Sequence, residues 1–376
     1  MVSSAPKIVI SGYYGFRNSG DEAVLKSILT ALKEEGEQTG LTVEPIVLSS
    51  DPAWTTKMYG VRAVHRMRLK EVRAAIRESS GVISGGGSLL QDATSPKSIP
   101  YYLAILKLAQ WADKPTFVYA QGIGPVQRKW FYPLIKSVFN RCTYISVRDE
   151  QSGGLLVAMG IQRSSVHVVP DPVMGLPLPA HAESGSNGVS PAGMPVIGIS
   201  VRYWDKERRE LQAIADGLRK LSAKRPVHLR FLPFHLPDDV QASQYVLEQL
   251  GDVDSNGSSM SMEREITDPQ QMLLEVSKCD LIIGMRLHSL IYAASREVPL
   301  LGISYDPKIN HFLSRIESEP VGSSDTLNGD KLAAAAAELL DNREAWQGRR
   351  AAAIQALRQE ARLPARQIIE YLSRKG

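Results

Sequence analysis

The chain has 376 residues, of which 43% are hydrophobic and 22% charged, and its formal net charge is +4. This length exceeds that of a typical single domain and predicts a globular protein of two domains. No run reaches the roughly 18 apolar residues that span a bilayer, and the N-terminal residues lack the apolar core of a signal peptide, so a cytoplasmic location is predicted. An aromatic content of 7%, without interleaved basic residues, argues against nucleic acid as a partner.

Short apolar segments alternate with helical patterns through the first 150 residues. The predicted strands are 7–11, 42–48, 81–84, 116–120 and 144–147. The predicted helices are 21–35, 72–79, 101–111 and 130–139. Alternation of this kind is typical of βαβ units and a parallel sheet.

The alternation stops between Pro170 and Pro195, where six prolines and four glycines indicate a linker or hinge. It then resumes. The second set of predicted strands is 196–200, 227–232, 280–283 and 299–303, and the predicted helices include 206–221, 239–250, 330–341 and 343–373.

We therefore predict an α/β protein with two doubly wound, Rossmann-like domains that face a cleft, the GT-B type. The predicted boundaries are 1–175 for the N-terminal domain, 176–195 for the linker, 196–330 for the C-terminal domain and 331–376 for basic C-terminal helices.

The last segment, 331–376, holds nine Lys or Arg and five Asp or Glu, so it accounts for the whole net charge (9 − 5 = +4). A basic segment can attract an anionic membrane surface, which would place the protein at the inner face of the membrane. A solvated helix face is the alternative interpretation.

The first loop, Gly12–Glu22, leaves a predicted strand and enters a helix. Its aromatic and amide side chains, Tyr13, Tyr14 and Asn18, are candidates for ligand contact. Asp21 fits either ligand contact or helix capping, whereas Glu22 is expected to cap the helix or to be solvated. The glycine spacing differs from G-x-G-x-x-G, so a dinucleotide cofactor is not indicated.

The second loop, Ser84–Asp92, contains three successive glycines and is predicted to start a helix. Gly86, Gly87 and Ser88 would then form an anion cradle, and close packing of a helix on a strand is the alternative. Two further strands end in polar residues. Gln121 offers an amide, and Arg148 offers an anion-binding fork that Asp149 can orient.

The segment Gly284–Ser289 places an arginine and a histidine on a strand-to-helix turn. Arg286 offers a planar fork for phosphate or carboxylate, and His288 can carry a proton near neutral pH. The alternative is a core histidine beside a structural ion pair. Arg202 and Lys308 follow other strands of the second half and add positive charge.

No metal ligands are predicted. The two cysteines, Cys142 and Cys279, lack metal-site spacing and are interpreted as buried side chains, and no H-E-x-x-H motif occurs. Magnesium needs only scattered carboxylates, so the sequence leaves it open.

Five motifs, in this order, resemble those of the polysaccharide pyruvyl transferase family. They are G-Y-Y-G-x-x-N-x-G-D-E from Gly12, G-G-G from Gly85, Q-G-I-G-P from Gln121, S-V-R-D from Ser146 and G-M-R-L-H-S from Gly284. The resemblance is greatest to bacterial enzymes that pyruvylate secondary cell wall polysaccharide precursors for S-layer anchoring. It implies phosphoenolpyruvate as donor substrate, no cofactor, and a 4,6-linked pyruvate ketal on a hexose. The implied acceptor is an N-acetylmannosamine residue of a disaccharide on a lipid diphosphate.

The resemblance and the residues together suggest roles. His288 is expected to protonate the donor as general acid, and Asp21 or Asp149 to accept a hydroxyl proton. The donor-binding candidates are Arg148, Arg286, Leu287, Ser289, Gly86, Gly87, Ser88 and Lys308. The acceptor-binding candidates are Tyr13, Tyr14, Asn18, Gln121 and Arg202.

Two other classes of protein fit the same plan. A nucleotide-sugar glycosyltransferase or epimerase would share the two domains but needs a carboxylate that holds a ribose. A non-catalytic carbohydrate-binding protein would need aromatic platforms, which the low aromatic content disfavours.

Overall fold

The computed structural model describes residues 5–93, 95–179, 193–253 and 257–375. The chain forms two compact units. Unit 1 comprises Met1–Leu176 and Leu357–Gly376, and unit 2 comprises Pro177–Ala356.

Unit 1 is built on a seven-stranded sheet whose pairings are all parallel. Its strands are β1 (Lys7–Tyr14), β2 (Glu44–Ser49), β3 (Arg62–His65), β4 (Gly81–Leu90), β5 (Thr116–Ile123), β6 (Tyr144–Val147) and β7 (Val166–Val168). Its helices are α1 (Ser19–Thr39), α2 (Pro52–Tyr59), α3 (Leu69–Glu78), α4 (Ser98–Trp111), α5 (Tyr132–Phe139), α6 (Glu150–Ala158) and α14 (Leu363–Ser373), with 3-10 helices at Lys129–Phe131, Arg163–Ser165 and Pro172–Gly175.

The strand order in unit 1 is β3-β2-β1-β4-β5-β6-β7, so the direction of winding reverses between β1 and β4. In a doubly wound sheet, ligands bind outside the carboxyl ends of the strands at such a reversal. β5 is buried along its whole length, as expected for an inner strand covered by helices on both faces.

Unit 2 repeats this plan with six parallel strands in the order β10-β9-β8-β11-β12-β13. Its strands are β8 (Val196–Ser200), β9 (His228–Phe231), β10 (Ser259–Met262), β11 (Leu281–Gly284), β12 (Leu300–Ser304) and β13 (Gly322–Ser323). Its helices are α7 (Arg209–Lys224), α8 (Asp238–Leu250), α9 (Pro269–Ser277), α10 (Leu287–Ser295), α11 (Pro307–Arg315), α12 (Gly329–Asp341) and most of α13 (Arg343–Glu360). The winding reverses between β8 and β11.

These sheets confirm the predicted fold class of two doubly wound α/β domains. One local prediction is wrong, because the glycine-rich segment starts no helix. β4 continues through the glycines to Leu90, and α4 begins only at Ser98. The strand continues because its glycines pack under α1: an ideal Cβ on Gly86 would lie 2.4 Å from Val24 Cγ1.

The division of the chain also differs from the predicted boundaries at the C-terminal end. The segment 331–376 was expected to be one set of helices, but its residues up to Ala356 cluster with unit 2 and those from Leu357 with unit 1. Most of the predicted linker, residues 180–192, lies outside the described residues.

α14 packs on α1 and completes the core of unit 1. Ile368, Ile369 and Leu372 are buried, and two arginines bind carboxylates of α1. Arg362 Nη2 lies 2.6 Å from Glu34 Oε2, and Arg366 Nε lies 3.1 Å from Glu35 Oε2.

Three other arginines of the basic C-terminal segment also have partners within the chain. Arg343 pairs with Asp280, Arg350 Nε donates to Ser318 Oγ at 2.9 Å, and Arg374 lies 3.8 Å from Glu370. Part of this charge therefore holds the fold. No helix in the described part of the chain is long and apolar enough to cross a bilayer.

Candidate active site

The loop after β1 is held by a buried carboxylate. Glu22 Oε1 accepts hydrogen bonds from Gly15 N at 2.9 Å and Arg17 N at 3.3 Å, and the Tyr59 hydroxyl donates to Oε2 at 2.7 Å. Burial raises the pKa of Glu22 above its ordinary value. The expectation that Glu22 caps the helix or is solvated is wrong, since its side chain points back into the loop.

Asn18 and Asp21 mark the start of α1. Asn18 Oδ1 accepts from Gly20 N at 3.2 Å and so caps the helix, whereas Asn18 was predicted to contact the acceptor. Asp21 lies in the first turn, beside β4. Gly87 has a φ of +80°, and an ideal Cβ there would lie 2.8 Å from Asp21 Oδ1. The loops after β1 and β4 therefore meet at Asp21 and Gly87.

The two tyrosines at the end of β1 have opposite surroundings. Tyr14 is fully buried, and burial, reinforced by Asp21, raises its pKa. It lies against β4, where an ideal Cβ on Gly85 would be 2.5 Å from its hydroxyl oxygen. This burial argues against the predicted acceptor contact for Tyr14. Tyr13 is exposed and stacks on Phe16, with ring centroids 4.0 Å apart.

Arg148 is the most closely surrounded of the predicted anion-binding side chains in unit 1. Its Nη2 donates to Ser88 Oγ at 2.7 Å, which brings together two predicted donor-binding residues. Its Nη1 lies 3.7 Å from Asp171 Oδ2 and its Nε 3.7 Å from Asp149 Oδ2. An ideal Cβ on Gly122 would lie 2.8 Å from Nε, so a larger residue there would force the guanidinium to shift.

Asp149 and Asp171 orient Arg148 while each caps a helix. Asp149 Oδ1 accepts from Ser152 N at 2.7 Å at the start of α6, and Asp171 Oδ1 accepts from Val173 N at 3.1 Å. Asp171 lies between Pro170 and Pro172, which indicate a turn, but its neighbours in the sequence do not indicate a contact with Arg148.

Gln121 is fully buried at the end of β5, beside Gly87 of β4. Neither its amide nitrogen nor its amide oxygen hydrogen-bonds to any part of the chain that the structure describes. The preceding residue, Ala120, has a φ of +45°, which is uncommon for a residue with a side chain. A buried amide without partners is costly, so a bound polar group here would be stabilising.

In unit 2, Arg286 forms a paired hydrogen bond with a buried carboxylate. Its Nε donates to Asp239 Oδ2 at 2.9 Å and its Nη2 to Oδ1. Asp239 Oδ2 also accepts from Phe234 N at 3.1 Å and His235 N at 2.9 Å. This is the structural ion pair that the sequence left as the alternative. It uses two of the five guanidinium N–H donors.

His288 lies in the first turn of α10 and is half-buried, with its Nε2 atom buried. The side chains of the two neighbouring candidates, Leu287 and Ser289, pack within the fold. Ser289 Oγ donates to Arg286 O at 2.7 Å and is buried, and Leu287 is buried as well. α10 begins at Leu287, so the positive end of its helix dipole lies at this turn. The N-cap residue, Arg286, does not cap the helix with its side chain.

Arg202 and Lys308 follow β8 and β12. Arg202 Nη1 donates to the Tyr305 hydroxyl at 3.0 Å, and its guanidinium lies 5.4 Å from the ring centroid of Trp204. Lys308 Nζ pairs with Asp306 Oδ2 at 3.1 Å. Trp204 was not predicted as a site residue. It is half-exposed, and its position shortly after a buried strand is the sequence feature that could have indicated a place in the site.

Glu210 anchors the loop after β8 in the way that Glu22 anchors the loop after β1. It is fully buried, and its Oε1 accepts from Trp204 N at 3.1 Å and Asp205 N at 3.2 Å. Both units therefore use a glutamate of the following helix to fix the loop at the winding reversal. Among the described residues, no cluster of three or more His, Cys, Asp or Glu side chains is placed to hold a metal ion.

A profile of the polysaccharide pyruvyl transferase family matches residues 18–307, which is more than half of the chain. The chain belongs to the polysaccharide pyruvyl transferase family. It is also 22% identical over 258 residues to the amylovoran biosynthesis protein AmsJ of Erwinia amylovora, an alignment that covers 64% of this chain. The chain spans 60% of the length of that curated relative.

Solved structures of other families share the fold of this pyruvyl transferase family member. The UDP-GlcNAc 2-epimerase of Methanocaldococcus jannaschii has a TM-score of 0.67 at 13% identity, over 98% of this chain and 99% of that one. A glycosyltransferase of Rickettsia africae has a TM-score of 0.64 at 12% identity, over 98% of each chain. HepE of Anabaena, solved with UDP and glucose, has a TM-score of 0.62 at 12% identity, over 98% of this chain and 99% of that one. These similarities show a fold of the GT-B type.

Proposed function

We propose that this chain transfers the pyruvyl group of phosphoenolpyruvate to a hexose, forms a 4,6-pyruvate ketal and releases phosphate. The acceptor that we propose is N-acetylmannosamine in a disaccharide on a lipid diphosphate. The observation that carries the proposal is the Arg148–Ser88 pair, 2.7 Å apart, at the carboxyl ends of the strands in a chain of this family. The donor has a carboxylate and a phosphate, and a guanidinium fork beside a hydroxyl suits both groups.

The donor must be activated before an alcohol can attack it. His288 would donate a proton to C3 of phosphoenolpyruvate, so that C2 becomes an oxocarbenium-like carbon. One sugar hydroxyl adds to C2 and loses its proton to a carboxylate. The C2–O bond to phosphate breaks, and the second hydroxyl closes the ketal as its proton is lost. The positive end of α10 would stabilise negative charge on the donor.

Two carboxylates are candidates for the group that accepts the hydroxyl proton. Asp149 Oδ1 accepts from Ser152 N, and its other oxygen lies 3.7 Å from Arg148. Asp21 lies beside Gly87, where the loops after β1 and β4 meet at the carboxyl ends of the strands, and we propose it for this position. We propose that Asp239 holds the guanidinium of Arg286 in place and that the remaining N–H groups of Arg286 bind the donor.

The test is the release of inorganic phosphate from phosphoenolpyruvate in the presence and absence of an N-acetylmannosamine-containing acceptor. We expect release that depends on the acceptor, and a ketal on the product by mass spectrometry and NMR. UDP-GlcNAc serves as the comparison substrate. Turnover of the UDP-sugar without acceptor-dependent phosphate release would contradict the proposal and favour a glycosyltransferase or epimerase.

A further inference from the structure

The segment around α5 carries an unusual charge. Between Asp113 and Asp149 the sequence contains six Lys or Arg residues and no Asp or Glu. Four of these cations flank or lie on α5 and are exposed: Arg128, Lys129, Lys136 and Arg141. Arg128 Nη1 lies 3.6 Å from Asp92.

The same segment exposes large apolar side chains. Trp130 is 59% exposed and Leu134 is 48% exposed. Trp130 lies in the 3-10 helix Lys129–Phe131, and Leu134 lies in the first turn of α5 that follows it. The Trp130 ring lies against Phe131, with ring centroids 3.7 Å apart, and Phe131 is itself buried. The exposed indole of Trp130 therefore packs against a buried ring.

The buried face of α5 anchors the segment in unit 1. Ile135, Val138 and Phe139 are buried in the same core cluster as Phe131. The segment thus exposes one tryptophan, one leucine and four cations, and we call these six residues the α5 surface.

We propose that the α5 surface docks on an anionic lipid bilayer. Lysine and arginine next to tryptophan and leucine is the pattern of a helix that lies in the bilayer interface, where the indole occupies the headgroup boundary. The charge is complementary to acidic phospholipids, and each cation near such a surface contributes about fivefold in binding.

The α5 surface fits this partner better than the basic C-terminal segment does. Four arginines of that segment bind groups of the chain itself, including Glu34 and Glu35, whereas in the α5 surface Arg128 pairs with Asp92. A docked chain would meet a lipid-linked acceptor at the membrane, and this consequence alone rests on the proposed function.

The test is flotation of the full chain with extruded vesicles. The vesicles contain either 30% phosphatidylglycerol in phosphatidylcholine or phosphatidylcholine alone, at about 0.1 M salt, where the screening length is about 10 Å. We expect the wild-type chain to float only with the anionic vesicles. K129Q/K136Q is expected to lower the partition coefficient roughly 25-fold, and W130A/L134S to lower it at least tenfold.

Matched controls separate docking from general charge and from folding. W111A removes another exposed tryptophan of unit 1, and R349Q/R374Q removes two cations of the C-terminal segment. Both are expected to bind like the wild type. The circular dichroism spectrum and the urea unfolding curve of K129Q/K136Q should match those of the wild type, which shows that the variant is folded.

Three results would overturn the proposal. They are failure of the wild type to float with anionic vesicles, equal flotation of the wild type and K129Q/K136Q, and loss of flotation in R349Q/R374Q but not in the α5 variants. Flotation requires no turnover, so a failed phosphate-release assay would contradict the proposed reaction and leave docking standing.

Discussion

At the scale of single residues, charged side chains of the site have partners that the sequence did not reveal. Arg148 and the adjacent Asp149 were predicted as a pair from their position after a strand, but the contacts of Arg148 with Ser88 and Asp171 join segments that are distant in sequence. Arg286 was predicted as an anion-binding fork, with a structural ion pair as the alternative, and the sequence did not reveal that Asp239 is its partner. Side-chain chemistry is readable from sequence, but the choice of partner depends on which loops the fold brings together.

Arg148→Ala should raise the concentration of phosphoenolpyruvate needed for half-maximal turnover by tenfold or more. The loss of a charge-assisted hydrogen bond to an anion costs about 1.5–3 kcal/mol. Steady-state phosphate release measures it. Arg163→Ala is the control, because Arg163 is exposed and pairs with Glu150 at 3.2 Å. An unchanged requirement in Arg148→Ala would refute the donor-binding role.

His288→Ala should lower turnover by about 10²-fold or more, because the step that activates the donor loses its proton source. Circular dichroism should show a folded protein. His167→Ala replaces an exposed histidine of unit 1 and should keep wild-type turnover. Near-normal turnover in His288→Ala would exclude His288 as the general acid.

Glu22→Ala should destabilise the fold by about 2 kcal/mol, because two backbone N–H groups and the Tyr59 hydroxyl lose their acceptor. Urea unfolding followed by circular dichroism measures the free energy of unfolding. Glu37→Gln, at an exposed site on the same helix, should change it by less than about 0.5 kcal/mol. A similar small change in Glu22→Ala would mean that the loop has other anchors.

The pH dependence of the same site has a definite sign. Burial raises the folded-state pKa of Glu22 above its ordinary value of 4.5, so the fold favours the protonated form. The resulting stability is present below the unfolded-state pKa and is lost as the pH rises through the folded-state pKa. The free energy of unfolding of the wild type should therefore fall relative to that of Glu22→Gln as the pH rises above about 4.5. If the difference in the free energy of unfolding between the wild type and Glu22→Gln stays constant from pH 4 to pH 7, the pKa of Glu22 is not raised in the folded state.

At the scale of elements, periodicity predicted many helices and strands but misjudged where β4 ends and which unit α14 joins. The run of glycines suggested a turn, yet β4 continues because Gly85 and Gly86 let the strand pass beneath Tyr14 and α1. The C-terminal helices were grouped by charge, yet α14 belongs to unit 1 because its apolar face and Arg366 complement α1. Propensity specifies an element, but packing decides its length and its neighbours.

Ile369→Ala should destabilise unit 1 by about 2–5 kcal/mol, since Ile369 is buried on α14 against α1. Thermal and urea unfolding measure the loss. Arg374→Ala is the control. Arg374 follows α14, but its side chain is 81% exposed, so this substitution should change the stability little. Equal stabilities of the two variants would show that α14 contributes little to the fold.

At the scale of the whole molecule, the fold is shared with epimerases and glycosyltransferases, so ligand preference must separate the functions. Phosphoenolpyruvate at a hundred times its dissociation constant should stabilise the folded chain by about 2.7 kcal/mol, a rise of several degrees in the unfolding temperature. UDP-GlcNAc at the same concentration should produce no shift. Thermal shift measures both, and the reverse preference would contradict the proposed donor.

The sequence alone determined the two-domain α/β plan, because alternating apolar strands and amphipathic helices have few ways to bury their apolar faces. It also determined the chemical types at the strand ends, among them Arg148 and His288, because these depend on the side chains themselves. Only the tertiary structure decided that Asp239 binds Arg286, that Ser88 and Asp171 hold Arg148, and that Tyr14 is buried. These outcomes depend on contacts between distant segments, and local sequence contains no record of the distances between them.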